Sequence, residues 1–413
     1  MTLKNRPASV WLDRSSAPHI ATLVAIAGIS ALNMNIFLPS LPSMADYFTA
    51  DFSVVQLAIS AYLGVTAILQ LVIGPLSDRF GRRPVILWGS GIFIVATIGC
   101  LLAPTIEIFL GFRMLQATIA VGMVLSRAIV RDMVPPNQAA SMIGYVTMGM
   151  SLVPMFGPMI GGFLDSAFGW QASFSMVLVL GVLVLALTWF DLGETNQHQS
   201  TSFGAQFRAY PQLVRSRRFW GYSATAAFSA GAFFAFLGGA SFVSSEVMGL
   251  NSKQLGLFFG IVSAGYMLGN FISGKFSEKH GINKMMLVGS AFCMLGTFII
   301  LTLFTIGLYH PMSLFGPMFI VGLGNGMTLP NANAGMVSVR PQLAGSASGL
   351  GGTLTIGGGA AVSALTGSLL DPAHPVFPLV VTMFVVSCLA VLSAVYVIHV
   401  AQTAPDLGAS DFD

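Results

Sequence analysis

Charge is what this sequence has least of. Only 8% of its 413 residues are Asp, Glu, Lys or Arg and 55% are hydrophobic, whereas a soluble domain carries about 25% charged residues. A water-soluble fold of this length has no means of hiding so much apolar surface, which excludes that class. Cysteine is scarce as well. Cys100, Cys293 and Cys388 each sit in an apolar run, which excludes a disulfide framework or a thiolate metal site. Phosphate-binding glycine loops, metal-ligand clusters and nucleophile motifs are missing, so the chain reads as no enzyme, with no cofactor and no metal. The apolar runs lack two-residue alternation, which rules out an outer-membrane barrel. Met1 to Pro18 is too polar for a signal peptide and no cleavage pattern follows. The first apolar run is therefore expected to act as an uncleaved insertion signal.

What the chain does have is long apolar runs. There are twelve, at 20–41, 52–76, 84–103, 106–129, 138–164 and 170–190, then 219–243, 254–276, 284–307, 312–335, 344–369 and 376–400. Runs of about 20 residues can cross ~30 Å of hydrocarbon as helices. Basic residues orient them. Of the 18 Lys and Arg, 16 fall on one side, Lys253 on the other, and Arg113 within a span. By the positive-inside rule the crowded side is cytoplasmic. Both termini then lie on that side, and the net charge of +3 reflects topology rather than nucleic-acid binding.

Between the second and third runs stands a charged hairpin, Gly74-Pro-Leu-Ser-Asp78-Arg79-Phe-Gly81-Arg82-Arg83-Pro84. So dense a charge cluster cannot sit in hydrocarbon, and it marks a turn on one membrane face. A reduced copy from Gly274 to Gly281 repeats the Gly-x-x-Ser-acid-x-x-Gly spacing 200 residues later. This repeat predicts an all-α membrane protein of two six-helix bundles, 20–190 and 219–400, with substrate between them near mid-membrane depth. A cytoplasmic segment 1–19, a linker 191–218 and an acidic tail 401–413 complete the plan.

Polar residues inside the spans are the candidate site. Arg113 lies about eight residues into the fourth span, ~12 Å along a helix and too deep to snorkel easily. An Arg near the bilayer centre costs at least ~2.5 kcal/mol. A functional cavity, an internal partner or plain anchoring to carbonyls would offset this; Gln116 shares its helix face. The fifth span carries Pro154, Gly157, Pro158, Gly161 and Gly162, which bend a helix and admit close backbone approach. Phe233, Phe234 and Phe236, with Asn325 and Asn331, are candidate lining for an amphipathic or lipophilic ligand. Packing in the core or against lipid is the competing reading of those phenylalanines.

With these residues in view, the chain resembles the major facilitator superfamily. Within it, the chain is similar to the twelve-span drug:proton antiporters of the bicyclomycin- and chloramphenicol-resistance (Bcr/CflA-type) branch, over residues 20–400. The resemblance rests first on the hairpin and on the run Gly149 to Gly162, which is similar to an antiporter pattern, Gly-x-x-x-Gly-Pro-x-x-Gly-Gly. Leu38-Pro39-Ser-Leu-Pro42, Arg113-Met-Leu-Gln116, Arg127-Ala-Ile-Val-Arg131-Asp132, Pro330-Asn331-Ala332 and Gly345-Ser-Ala-Ser-Gly349 add to it. It implies a monomeric, multi-pass protein of the bacterial inner membrane. Such a protein exports small amphipathic molecules by alternating access, in exchange for protons, within the lipid bilayer. It also implies a cytoplasmic latch, with Asp78 near the start of span eleven and Arg79 and Arg82 paired with Asp132. A solvated charged turn of little energetic weight is the alternative.

One position departs from the branch. Where relatives carry an Asp four residues before the proline matching Pro39, this chain has Asn35, and no carboxylate lies in the middle of any span. An amide cannot titrate. Three accounts stay open. A peripheral acid (Asp46, Glu107 or Asp165) carries the proton; the protein is a narrow-substrate metabolite exporter, or an exchanger or facilitator, without proton coupling; or Asn35 stands in place of a natural Asp. Asn33 and Asn35 point in different directions on a helix, and Asn35 is expected to face the cavity.

Overall fold

A computed structural model describes residues 9–134, 136–196, 211–340, 343–370 and 376–403. Helix dominates them, and no strand occurs among the described residues. Lipid offers backbone N–H and C=O groups no partners, so long apolar runs satisfy them internally as helices. There are twelve long helices among the described residues. In the first half they are α1 (Ile20–Phe48), α2 (Phe52–Phe80), α3 (Arg82–Leu102), α4 (Ile106–Met133), α5 (Pro136–Phe168) and α6 (Gln171–Asp191). In the second they are α7 (Arg217–Val247), α8 (Ser252–His280), α9 (Ile282–Thr305), α10 (Pro311–Ser338), α11 (Ala344–Leu369) and α12 (Phe377–Thr403). Ten are long and apolar enough to cross a membrane. The other two, α5 and α11, are 33 and 26 residues long.

Most spans fall where the hydropathy placed them, but α1 runs on past its expected end at 41. A 3₁₀ turn, Leu38–Ser40, joins Ile20–Asn35 to Leu41–Phe48. Pro39 and Pro42 each sit in the first turn of their segment, where a missing N–H breaks no helical bond. Segments 1–8 and 197–210 and the tail from 404 lie outside the described residues, as do Asp371 and the side chains of Arg131 and Pro154. All three cysteines are free thiols, Cys100 and Cys293 being buried.

Within the first half α1 packs on α4, α5 and α6, and α3 on α4 and α6. In the second half α7 packs on α10, α11 and α12, and α9 on α10 and α12. The Asp191 carboxylate at the end of α6 accepts hydrogen bonds from the backbone N–H groups of Leu12 (2.7 Å) and His19 (2.9 Å), which places the start of α1 on the same face.

The halves meet along α2–α11 and α5–α8, two seams that the internal repeat exchanges. Their outer ends are tightly joined. A Cβ added to Gly162 would fall 2.2 Å from the Ser252 carbonyl, and one on Gly256 would fall 2.6 Å from that of Pro158. Ser241 Oγ donates to Leu38 O at 2.8 Å, and Gln56 Nε2 donates to Ser363 O at 2.8 Å. One buried apolar cluster spans both halves there, from Phe37 and Leu63 to Phe236 and Phe315. Toward the cytoplasm each half keeps a core of its own, around Ile73 and Leu125 in one and Tyr222 and Met336 in the other.

Candidate functional site

Arg113 is fully buried. It lies where α4 faces α1 and α2, and a 3₁₀ turn (Ala117–Ala120) follows Gln116 directly. Its guanidinium donates four hydrogen bonds, all to neutral oxygens. Nε reaches Ala58 O (3.1 Å), Nη1 reaches Asn33 Oδ1 (3.0 Å) and Gln116 Oε1 (2.7 Å), and Nη2 reaches Asn33 O (3.0 Å). The rings of Tyr62 and Phe37 cover it at 4.1 and 4.4 Å. Gln116 in turn donates to Thr97 Oγ1 at 2.8 Å, and Asn33 Nδ2 donates to the Tyr62 hydroxyl at 3.1 Å. Arg113 forms no ion pair among the described residues.

One sequence expectation changes here: Asn35 does not face the cavity, and it is Asn33 that joins the arginine. Asn35 is 1% exposed, turns its Nδ2 back to Ala31 O at 2.8 Å, and packs beside Gly157. The two amides are only two residues apart on one helix, so only one of them can point toward α4.

A cavity of ≈580 Å³ opens between the halves toward the cytoplasmic end. The first half contributes Gln70, Gly74, Asp78, Arg82 and Asp132 to its wall, and the second contributes Asn333, Ser346 and Gly349. Asp78 and the opening turn of α11 thus line one space. Arg82 forms ion pairs with Asp78 and, at 3.1 Å through Nε, with Asp132. The Arg79 guanidinium lies 5.4 Å from the Phe80 ring centre, and it is Arg82 that meets Asp132. Gly81 turns the hairpin at φ +97°, a conformation that L side chains rarely adopt.

Glu194 is a residue that sequence reasoning missed. Its carboxylate accepts from the backbone N–H groups of Arg82 (2.9 Å) and Arg83 (3.2 Å), capping the exposed start of α3. Thr195 Oγ1 reaches Asp132 at 3.2 Å and Asn196 Nδ2 reaches Asp78 O at 3.0 Å, so the strand of chain leaving α6 straps the hairpin.

The glycines of α5 divide between two neighbours. A Cβ on Gly161 would fall 1.6 Å from Ile36 O and one on Gly157 3.4 Å from Leu32, both in α1, whereas Gly162 and the Pro158 carbonyl meet α8. Phe234 and Phe236 of α7 follow the competing reading and pack in the core. Phe236 is fully buried against Phe259 and Phe315, and Phe234 presses on Gly359 of α11. Asn331 bridges α10 to α8 through Ser273 (2.9 Å) instead of facing the cavity, and Asn333 is the α10 amide in the wall. Two residues along a helix turn a side chain through ~200°, so the apolar run itself could not tell them apart.

The family profile described as Major Facilitator Superfamily matches residues 23–364. The chain belongs to the major facilitator superfamily. It is 30% identical over 385 residues to an uncharacterized MFS-type transporter, YdgK, of Bacillus subtilis, covering 92% of this chain and 95% of that one. A bicyclomycin resistance protein homolog of Haemophilus influenzae is 29% identical, covering 92% and 96%. A chloramphenicol resistance protein of Pseudomonas aeruginosa is 29% identical, covering 86% and 84%. Among solved structures, a bacterial homolog of the human lysosomal transporter Spinster superposes with a TM-score of 0.70 at 18% identity, over 93% of this chain and 96% of that one. This facilitator lies on the Bcr/CflA-type branch, and is a transporter rather than an enzyme, spanning the inner membrane many times.

Proposed function

We propose that this facilitator exports small amphipathic molecules by alternating access, with protons moving inward in exchange. The observation that carries this reading is a cavity that opens toward the cytoplasmic end between two halves whose outer ends are joined. Its wall sets carboxylates and amides (Asp78, Asp132, Asn333) beside apolar side chains (Leu71, Met123, Ile356), which suits a molecule with one polar and one apolar side. Relatives named for resistance to bicyclomycin and chloramphenicol support drugs as the substrate class. The moving bodies are 20–190 and 219–400, joined by 191–218, and a single chain supplies both walls.

Of the three peripheral acids, Asp46 and Glu107 are exposed, whereas Asp165 is 9% exposed and accepts from Ser43 Oγ at 2.8 Å. We assign the proton to Asp165. Purified protein in liposomes holding a pH-sensitive dye tests this with amphipathic cations, neutral phenicol-like drugs and small metabolites. Substrate should drive proton movement in the parent, and Asp165→Asn should keep substrate flux while losing that movement. Proton movement undiminished in Asp165→Asn would remove the assignment. Flux without protons in the parent would favour the second reading, an uncoupled exchanger or facilitator, which Asn35 supports.

A further inference from the structure

A second cavity lies on the lipid side of the first half, away from the transport route. It follows α3 between α4 and α6 with a volume of ≈650 Å³. Leu87, Gly91, Ile92 and Val95 of α3 and Leu115 of α4 line it, and Trp88 and Trp189 stand beside it, 74% and 50% exposed. Arg83 closes the cytoplasmic end. From Arg83 to Ala96 the groove follows ~20 Å of helix, while one leaflet of hydrocarbon is ~15 Å deep. The groove is therefore long enough to take a lipid chain of the cytoplasmic leaflet and still reach its headgroup level.

The guanidinium at its mouth is held by carbonyls, while the nearby Glu194 carboxylate takes the backbone N–H of Arg83. Arg82, next in sequence, is paired with two carboxylates. Arg83 forms no ion pair among the described residues; Nε and Nη2 donate to the carbonyls of Leu192 (2.8 Å) and Trp189 (3.3 Å), and Nη1 donates to none of them. Those bonds and the Trp189 ring, 5.0 Å away, hold the guanidinium over the groove. A phosphate is the partner such a fixed fork suits.

We propose that this groove binds an anionic phospholipid of the cytoplasmic leaflet, with one acyl chain along α3 and the headgroup phosphate on Arg83. Tryptophan favours the headgroup level of a bilayer, where Trp189 would lie. Gly91 leaves α3 bare in mid-groove: nothing lies within 4 Å of an added Cβ. A chain can lie flat there, and a side chain there would start in open space and project into the groove.

Tryptophan quenching by brominated lipids tests the proposal in bilayers of neutral phosphatidylcholine. Small, equal mole fractions of brominated phosphatidylglycerol or brominated phosphatidylcholine are added to the intact protein. The anionic lipid should quench at about fivefold lower mole fraction, the preference expected of one arginine near the surface. Arg83→Gln should equalise the two lipids. Gly91→Phe, which keeps Arg83, should weaken quenching by both. Equal quenching in the parent would overturn the proposal, as would a preference that survives both substitutions.

Discussion

Arg113 carries a full charge into the apolar interior and meets it with oxygens and rings rather than a carboxylate. Hydrogen bonds to a charged group are worth ~1.5–3 kcal/mol each, so four of them outweigh an insertion cost of ~2.5–3.5 kcal/mol only while the fork stays in place. Arg113→Ala would strand the acceptors of Asn33, Ala58 and Gln116, at ~1–3 kcal/mol for each buried group. It should melt well below the parent and lose transport. Arg113→Lys keeps the charge without the planar fork and should recover part of the melting temperature but little transport. A lysine variant that melts and transports like the parent would show that charge alone suffices. Arg113 was legible in the sequence as a lone cation in an apolar run. Its partner Asn33 was not, because 80 residues separate them and no local pattern joins them. Asn35 keeps a separate interest: Asn35→Asp would put a carboxylate beside Gly157, within reach of the α1–α5 seam. Substrate flux should then become more steeply dependent on pH, and a superimposable pH profile would exclude position 35 from coupling.

At the scale of elements, the spans were legible because a bilayer demands long apolar runs, and the hairpin copies revealed the two halves. Which face of each helix meets which neighbour was not, since membrane helices are apolar all round. The glycines of α5 show how small residues decide it. A methyl on Gly161 would land 1.6 Å from Ile36 O, and carbonyl backbone cannot step aside as a flexible side chain can. Overpacking of this kind costs ~1–3 kcal/mol or more. Gly161→Ala should therefore lower the melting temperature and separate α1 from α5. Gly64→Ala is the matching control, since an added Cβ there meets nothing within 4 Å. It should be neutral or raise stability by up to ~1 kcal/mol through helix propensity. Identical thermal shifts in the two variants would contradict the close-approach account of the α5 motif. The strap through Glu194 was hidden for a different reason. It caps a helix more than 100 residues upstream, and an acid in a polar linker carries no mark of that role.

Alternating access in the whole molecule requires that the two ends trade closure. At the outer end Gln56 is the pin. It is 1% exposed, and its Nε2 donates to both the carbonyl and the hydroxyl of Ser363, at 2.8 and 3.0 Å. Gly238 and Gly367 leave it room, for a Cβ on either would fall 2.7 or 2.1 Å from its amide. At the other end Asp78 and Arg82 line the cavity opposite the start of α11. A buried hydrogen-bonded amide contributes ~1–2 kcal/mol, which is a five- to thirty-fold change in a two-state ratio. Gln56→Ala should therefore move the population toward an outward-open state, because the lost bonds exist only with the outer end closed. If Asp78 meets the start of α11 when the cytoplasmic end closes, as the proposed cycle requires, Asp78→Asn should move the population the other way and slow cycling while substrate still binds. Distances between spin labels at the outer ends of α2 and α11 would read both shifts. Movement of the two variants in the same direction would break the reciprocity, and with it the assignment of Gln56 and Asp78 to opposite gates of one cycle.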